Sequence, residues 1–500
     1  MRVTLALILV PIVFAMIAAL TKGQQSRNAA LLGLGITTGL AIAPFFTADN
    51  NALFFGGLNL PWLPNLGIGL HVGMDSPAAS LVLLTAFLGL MSAIFSKPIG
   101  ERENEYYAML LTLVGTVIGA FVSLDLVLFY IFFEICLVPA YFLIGIWGGK
   151  DRVRAATKFF VYTVVGSLVM LVSIIALYLH FKTFDLLTIQ QMMATNPLPP
   201  VNALFIFAGF AVAFAVKTGL FPLHTWLPDA YTEAPAPITA FLSGAMAKLG
   251  TYGLFRFGIM LLPEAAAQFA PVMVTLGVVS ILYGALVAAS QRDAKRVIAY
   301  SSISHLGYVV AGLFALNEQG IAGAFLQQIN HGITSAALFL AIGLIQYRRG
   351  TTKLVALGGL WEQMPVFGRF LLIFTLSSVA LPLTNGFVGE FLILLGTYSA
   401  FPLLGVIAAV GVVGSAIYML VMFQKAMYGE VDRAENRRLH DLNSSEFIGL
   451  APFVALIFLL GIVSAPVLNK FEGVIKNTLT KVGQTPAITP LAATTTEVQP

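Results

Sequence analysis

The chain of 500 residues has one cysteine and is only 10% charged. The single thiol, Cys136, excludes a disulfide framework, a thiolate zinc site and a set of iron–sulfur ligands within this chain. No Gly-rich phosphate loop, flavin motif or metal-ligand cluster is present, so no cofactor is expected here and any redox chemistry belongs to another chain. The net charge is only +4, and no nucleic-acid partner is expected. Soluble domains carry about 25% charged residues. With 58% hydrophobic residues, this sequence is instead that of a multi-span membrane protein whose solvent is the lipid bilayer.

The apolar runs predict an all-α membrane fold of about fourteen spans, near 3–20, 28–46, 79–96, 106–122, 124–147, 156–180, 202–221, 236–262, 271–289, 297–315, 321–346, 368–397, 401–423 and 446–466. The opening "MRVTLALILVPIVFAMIAAL" is expected to be retained as the first span, since no small-x-small cleavage site follows it. Basic residues sort between the connections. Odd-numbered ones carry Lys22, Arg27, Lys97, Arg102 and the groups around Lys150, Arg296, Arg348 and Arg437, whereas even-numbered ones carry only Lys182. The positive-inside rule then places odd connections in the cytoplasm and both termini outside it. The seventh connection stands apart in having no Lys or Arg. The second, 47–78, is expected to form a small hairpin outside the membrane. The tail from about 467 is polar, and its end is expected to be disordered.

Six ionisable residues fall inside spans: Glu134, Lys217, Lys248, His305, His331 and Glu390, with Arg256 nearer a helix end. A lysine at mid-bilayer costs about 2.5–3.5 kcal/mol on insertion scales, so such groups face a bundle interior or a wet cavity. Glu134 and Lys217 carry opposite charges on different spans and can pair, either as a plain structural tie or as a switch. Desolvation raises a carboxylate pKa and lowers an ammonium pKa, and pairing does the reverse, so a pair that opens and closes changes its proton affinity. Pro222 follows Lys217 by five residues and breaks the seventh span. Freed backbone groups are tolerated at depth only where protein or a wet cavity satisfies them, so the break can admit water to the lysine. It can equally be an ordinary kink beside a snorkelling side chain. Pro382 interrupts the twelfth span just before Glu390. His305 follows a serine cluster, and His331 sits beside Gln327, Gln328 and Asn330. Each histidine can be structural or part of a proton relay. His71, His180 and His440 receive no role.

The segments 159–179 and 325–345 align Gly166 with Gly332 at an offset of 166, and Glu134/His305 and Lys217/Glu390 follow at 171 and 173. Two five-span units of opposite orientation are the expectation, spans 4–8 and 9–13, with discontinuous helices in the seventh and twelfth spans. Inverted repeats with broken helices mark transporters, with the ion path at mid-membrane.

"RAATKFFVYT", "FAVKTGLFPLHTWLPDAYTEAP", "AKRVIAYSSISHLGY", "QINHGITSAALF" and "GFVGEFLILLG" together resemble the antiporter-like subunits of proton-pumping NADH:quinone oxidoreductase (respiratory complex I), the M or chain 4 type above all. The resemblance covers nearly the whole chain. It implies a translocase subunit with no redox site of its own, in the inner membrane of a prokaryote. NADH, flavin, iron–sulfur clusters and quinone are then held by partner subunits, and L- and N-type antiporter-like subunits are neighbours. It implies a proton path through Glu134, Lys217, Lys248, His305, His331 and Glu390, the last being the M-like choice where L- and N-type relatives have lysine. Its domain reading is 1–105, 106–262, 271–423 and 424–500. Where relatives often read "LPDAH", this chain has Tyr231, and Phe133 stands where a Trp is common. Multisubunit cation/proton antiporters and membrane-bound hydrogenases share these motifs and are the alternative.

Overall fold

Backbone N–H and C=O groups find no water in hydrocarbon, so a spanning segment must satisfy them internally, as a helix does. A computed structural model of the protein describes residues 2–47, 54–96, 100, 102–431 and 433–483. Among these, 12 helices are long and apolar enough to cross a membrane. Two more spans are assembled from shorter pieces. The eighth joins Ala236–Phe241, a π-helical Leu242–Met246, Lys248–Gly253 and a second π-helical Leu254–Ile259. The twelfth joins Pro365–Ser378 to Asn385–Ala400. Together with these two, the spans number the fourteen expected from hydropathy.

The seventh span runs further than the apolar stretch 202–221. Its first helix, Pro200–Thr218, ends at Gly219 in a left-handed cap, and after a short break a second helix, Trp226–Glu233, continues it. Only Ala234 and Pro235 then separate it from the eighth span, which leaves no room for the missing basic residues of the seventh connection. Lys295, at the start of the tenth span (Ala294–Phe314), supplies a cation there instead, donating to the Ala234 carbonyl at 2.6 Å.

Burial sorts the helices into an inner and an outer set. On the sixth span, Arg152–Phe181, the exposed side chains Val161, Val165, Leu168, Val172, Ile175 and Leu179 recur at helical period. Leu403, Val406, Val410, Val413 and Ile417 do the same on the thirteenth, Pro402–Met427. Such one-sided apolar stripes face lipid. The eighth span, the tenth and the eleventh (Glu318–Arg349) are buried nearly all round and form the bundle's centre.

The face on which the first span begins and the fourteenth ends is built from short polar-capped elements. The expected hairpin is present: β1, Phe55–Leu63, pairs antiparallel with β2, Ile68–Met74. It is pinned by two capping aspartates. Asp125 caps the fifth span through the Val127 and Leu128 amides at 2.9 and 3.0 Å, and also accepts from the Gly69 amide at 3.1 Å. Asp185 caps the amphipathic helix Leu186–Met193 and pairs with the imidazole of His71, a residue with no role assignable from sequence. The polar tail is only in part what its composition suggested. Helices Ala465–Leu468 and Glu472–Gly483 extend it, with Phe471, Val474, Ile475 and Thr478 buried. Few apolar residues suffice because they fall on one face; the expected disorder concerns 484–500, which lie outside the described residues. Lys97 lies outside them as well.

Arg256 sits in the second π-helical turn with its guanidinium fully buried, and Asp75, capping the third span, meets it at 2.5 Å. Tyr252, one turn back, accepts from Arg256 Nε at 3.1 Å and donates to the Phe121 carbonyl at 2.8 Å. Removing one partner of a buried pair leaves an uncompensated charge, at about 3–5 kcal/mol. Asp75→Ala should therefore lower the unfolding free energy of the assembled protein by about that amount, and Asp75→Leu with Arg256→Met should recover most of it in denaturant titrations.

The Asp185 carboxyl is pushed up by burial, but its hydrogen bonds from His71 and Thr188 outweigh this and hold it below the ordinary carboxylate range. A depressed native pKa gives stability that is fully present above the unfolded value, about 3.9, and is lost as pH falls through the native value. The protection factors of the hairpin amides, the slowing of exchange relative to the unfolded chain at the same pH, should thus fall on acidification below about pH 4, and Asp185→Asn should remove that dependence.

Candidate functional site

Lys217 occupies the last turn of the first helix of the seventh span, 1% exposed, at the edge of the break that holds Pro222. Its ammonium donates to Cys136 Sγ at 3.5 Å and lies 4.5 Å from the centroid of the Phe133 ring. No ion pair joins it to Glu134, so the pairing that the sequence allowed is not formed. Glu134 ends the first half of the fifth span, Leu126–Ile135, beside Ser167, and its Oε1 is buried without a hydrogen-bond partner. Cys136, which has no place in the expected path, thus accepts the side-chain hydrogen bond of the lysine.

The other four residues form two hydrogen-bonded pairs, Lys248–His331 and His305–Glu390, set end to end. Lys248, fully buried, donates to the Ser243 carbonyl at 2.6 Å and meets His331 Nδ1 at 2.7 Å. Ser243 belongs to the π-helical turn that precedes the lysine; such turns disturb the regular i→i+4 ladder and recur at functional sites. The His331 and His305 rings lie 5.6 Å apart, centroid to centroid. His305 Nδ1 meets Glu390 Oε1 at 2.7 Å, and Gln327 donates to the same oxygen at 2.9 Å. Both histidines therefore stand in series between Lys248 and Glu390, in an order the sequence left open. Hydroxyls flank the line: Ser243 against Ser302 and Ser335 at 3.3 and 3.1 Å, and Ser378 against His305 Nε2 at 3.3 Å. A polar cavity with room for about one water molecule opens among His305, His331, Asn330, Ser377 and Glu390. His331 Nε2 and Glu390 Oε2 are buried without protein partners. An unsatisfied buried group costs about 1–3 kcal/mol, so these atoms favour a bound water.

Lys217 and Lys248 have no direct hydrogen bond between them. The hydroxyl of Thr218, next to Lys217 in sequence, is buried and without a partner, and it lies against Gly250, two residues beyond Lys248. Only a glycine allows this approach, since a Cβ at 250 would lie 2.2 Å from Thr218 Oγ1 and 2.7 Å from the Phe214 carbonyl. Gly389 plays the same part beside Glu390, where a Cβ would meet Gln327 Oε1 at 2.5 Å. Pro382 lies in the break of the twelfth span, where Ala380 and Leu383 adopt left-handed φ of 56° and 76°. Non-glycine residues in that region cost about 1–3 kcal/mol each and persist when their surroundings over-determine them. Here Ser377 bridges Asn385 at 2.6 Å and Thr334 at 2.7 Å across the break.

Sequence reading passed over His224, which follows Pro222 by two residues. It is 3% exposed, packs against Phe221 and Tyr283, and its Nδ1 has no partner. The signal for it was its place in a proline break, where buried polar groups collect. It also passed over Asp229 of the second helix in the seventh span, which pairs with Lys158 at 2.8 Å and Arg296 at 3.3 Å. Tyr231 is fully buried and points its hydroxyl at the Leu242 carbonyl, 3.3 Å away, one residue before Ser243.

The sequence family described as NADH:quinone oxidoreductase/Mrp antiporter, TM, matches residues 123–417. The NADH-quinone oxidoreductase subunit M of Rickettsia prowazekii (strain Madrid E) is 42% identical over 437 residues, 87% of this chain and 88% of that one. The subunit M of Escherichia coli (strain K12) is 35% identical over 490 residues, 94% and 96% of the two chains. A chain in the solved respiratory complex I from Thermus thermophilus with bound NADH has a TM-score of 0.87 at 33% identity, covering 95% of this chain and 99% of that one. Glu134, Lys217, Lys248, His305, His331 and Glu390 and the breaks at Pro222 and Pro382 all lie within the matched segment, and the chain belongs to the antiporter-like M subunits of the NADH:quinone oxidoreductase family.

Proposed function

We propose that the chain is a proton-translocating membrane subunit of an NADH:quinone oxidoreductase, driven by electron transfer in partner subunits. The observation that carries the reading is the line Lys248–His331–His305–Glu390, with 2.7 Å contacts at both ends, closed off from lipid at the bundle's centre. A proton enters from the cytoplasmic face through the break after Thr218, reaches Lys217, passes by Thr218 and bound water to Lys248, and crosses the two imidazoles to Glu390. The break beside Glu390 then opens toward the other face. Glu134 biases the proton affinity of Lys217 from the side, with the Cys136 thiol holding the ammonium while the carboxylate is unpaired. The two interrupted spans act as inverted halves of one machine. NADH, flavin, iron–sulfur clusters and quinone reside in partner chains, and L- and N-type antiporter-like subunits flank this one in a prokaryotic inner membrane with both termini outside the cytoplasm.

The alternative, a subunit of a multisubunit cation/proton antiporter or membrane-bound hydrogenase, shares the membrane machinery and differs in its partners. Affinity purification of the tagged chain separates them: flavin- and cluster-bearing subunits that oxidise NADH should accompany it, and their replacement by hydrogenase or antiporter subunits would overturn the NADH-linked reading.

In inverted membrane vesicles, Lys248→Met and Glu390→Gln should each reduce NADH-driven acidification about tenfold, a barrier increase of about 1.4 kcal/mol. Unchanged pumping by either variant in a fully assembled complex would assign the polar line a structural role. Gly250→Val should also impair pumping, because the added side chain forces the seventh and eighth spans apart; overpacking of this kind costs about 1–3 kcal/mol. Here the readout is the ratio of protons moved to NADH oxidised in complexes of normal subunit content.

A further inference from the structure

A groove of about 930 Å³ opens on the outer side of the bundle, away from the polar line. Its walls are the second span, Gln24–Thr47, and the fourteenth, Ser444–Ile462. Its floor is the third span, through Leu83 and Phe87, with Ile329 and Ile333 of the eleventh span behind. The volume is that of an ordinary ligand site, about 300–1,000 Å³. The interior is apolar. Thr38 and Ser80 reach it, but each hydroxyl is already engaged by a carbonyl of its own helix, at 2.7 and 2.8 Å.

One end differs. Lys470, just past the fourteenth span, sits at the mouth with its ammonium 5.2 Å from the Phe45 ring centroid and 3.5 Å from the Phe46 carbonyl. Among the described residues it makes no ion pair. Along the wall, Thr38 to Phe46 and Pro452 to Val463 span about 12 and 16 Å at 1.5 Å per residue. That is the depth of one leaflet, half of a hydrocarbon core about 30 Å thick. A cation at the headgroup level above an apolar cleft one leaflet deep is complementary to an amphiphile with an anionic head. A helix from a partner chain would leave the ammonium without a counter-charge unless it brought a carboxylate to that level.

We propose that this groove binds one glycerophospholipid of the leaflet on the side of the hairpin. Its phosphate rests on Lys470, and an acyl chain lies between the second and fourteenth spans. Ile329 and Ile333 stand two residues to either side of His331, so the chain packs directly behind the polar line and keeps that flank dry. The site is independent of whether the line carries protons.

The test uses the assembled complex in nanodiscs of phosphatidylethanolamine and phosphatidylglycerol, doped with a phosphatidylglycerol whose acyl chain carries a diazirine. Photolysis and peptide mapping should place the label on 24–47 and 444–462. Lys470→Ala should reduce that labelling about fivefold, the effect of one cation at a lipid headgroup, and Lys470→Arg should retain it. Ala455→Trp, which fills the groove from its rim, should abolish it. A diacylglycerol probe, which lacks the phosphate, should label about fivefold less than the phospholipid. Equal labelling in Ala455→Trp and the unaltered complex would overturn the site, and equal labelling by the two probes would overturn the phosphate contact. Photocrosslinking of Val463→Cys, alkylated with a maleimide–benzophenone, to a partner subunit's helix in native membranes would overturn it too, by giving the groove to protein.

Discussion

An ammonium in hydrocarbon must be met by something polar or be brought to water, and Lys248 has no route to water along its own helix. Everything around it answers that demand. The π-helical turn before it presents the Ser243 carbonyl, the eleventh span presents His331, and the tenth span brings Ser302 within reach of Ser243. Small residues let these helices close on one another. The price is a centre that cannot be packed with aliphatic side chains alone, and that departure from a simple apolar core is what gives the bundle a chemical interior.

The two interrupted spans solve the same problem differently. In the seventh, a glycine takes the left-handed cap, Gly219, and the lysine lies before the break. In the twelfth, alanine and leucine take left-handed positions, a hydroxyl and amide network holds them, and the carboxylate lies after the break. A strained, hydrogen-bonded interruption can relax when its network changes, whereas a glycine cap stores little. The twelfth span therefore has the more conformationally loaded of the two breaks, next to the terminal acid of the line.

Away from the centre, rigidity comes from charges at the membrane's edge. The hairpin is held by aspartates that also cap helices, and the tail helix docks through four side chains on one face. The fully buried Asp75–Arg256 pair ties the third span to the eighth, on the same face of the helix that carries Lys248 and Tyr252. Fixing that helix along its length restrains the lysine without touching it.

Span number, the breaks at Pro222 and Pro382, the hairpin and the six ionisable residues were legible in the sequence, because hydropathy, proline chemistry and the rarity of charge in apolar runs are local properties. Tertiary structure alone decided the partners. Glu134 and Lys217 do not pair although their charges invite it, Cys136 takes the lysine, and the two histidines stand in series. Asp75 finds Arg256 across 181 positions, and Asp185 finds His71 across 114. Contacts between helices depend on rotation and depth, which composition does not encode, and so does the one-sided burial that turned a polar tail into a docked helix.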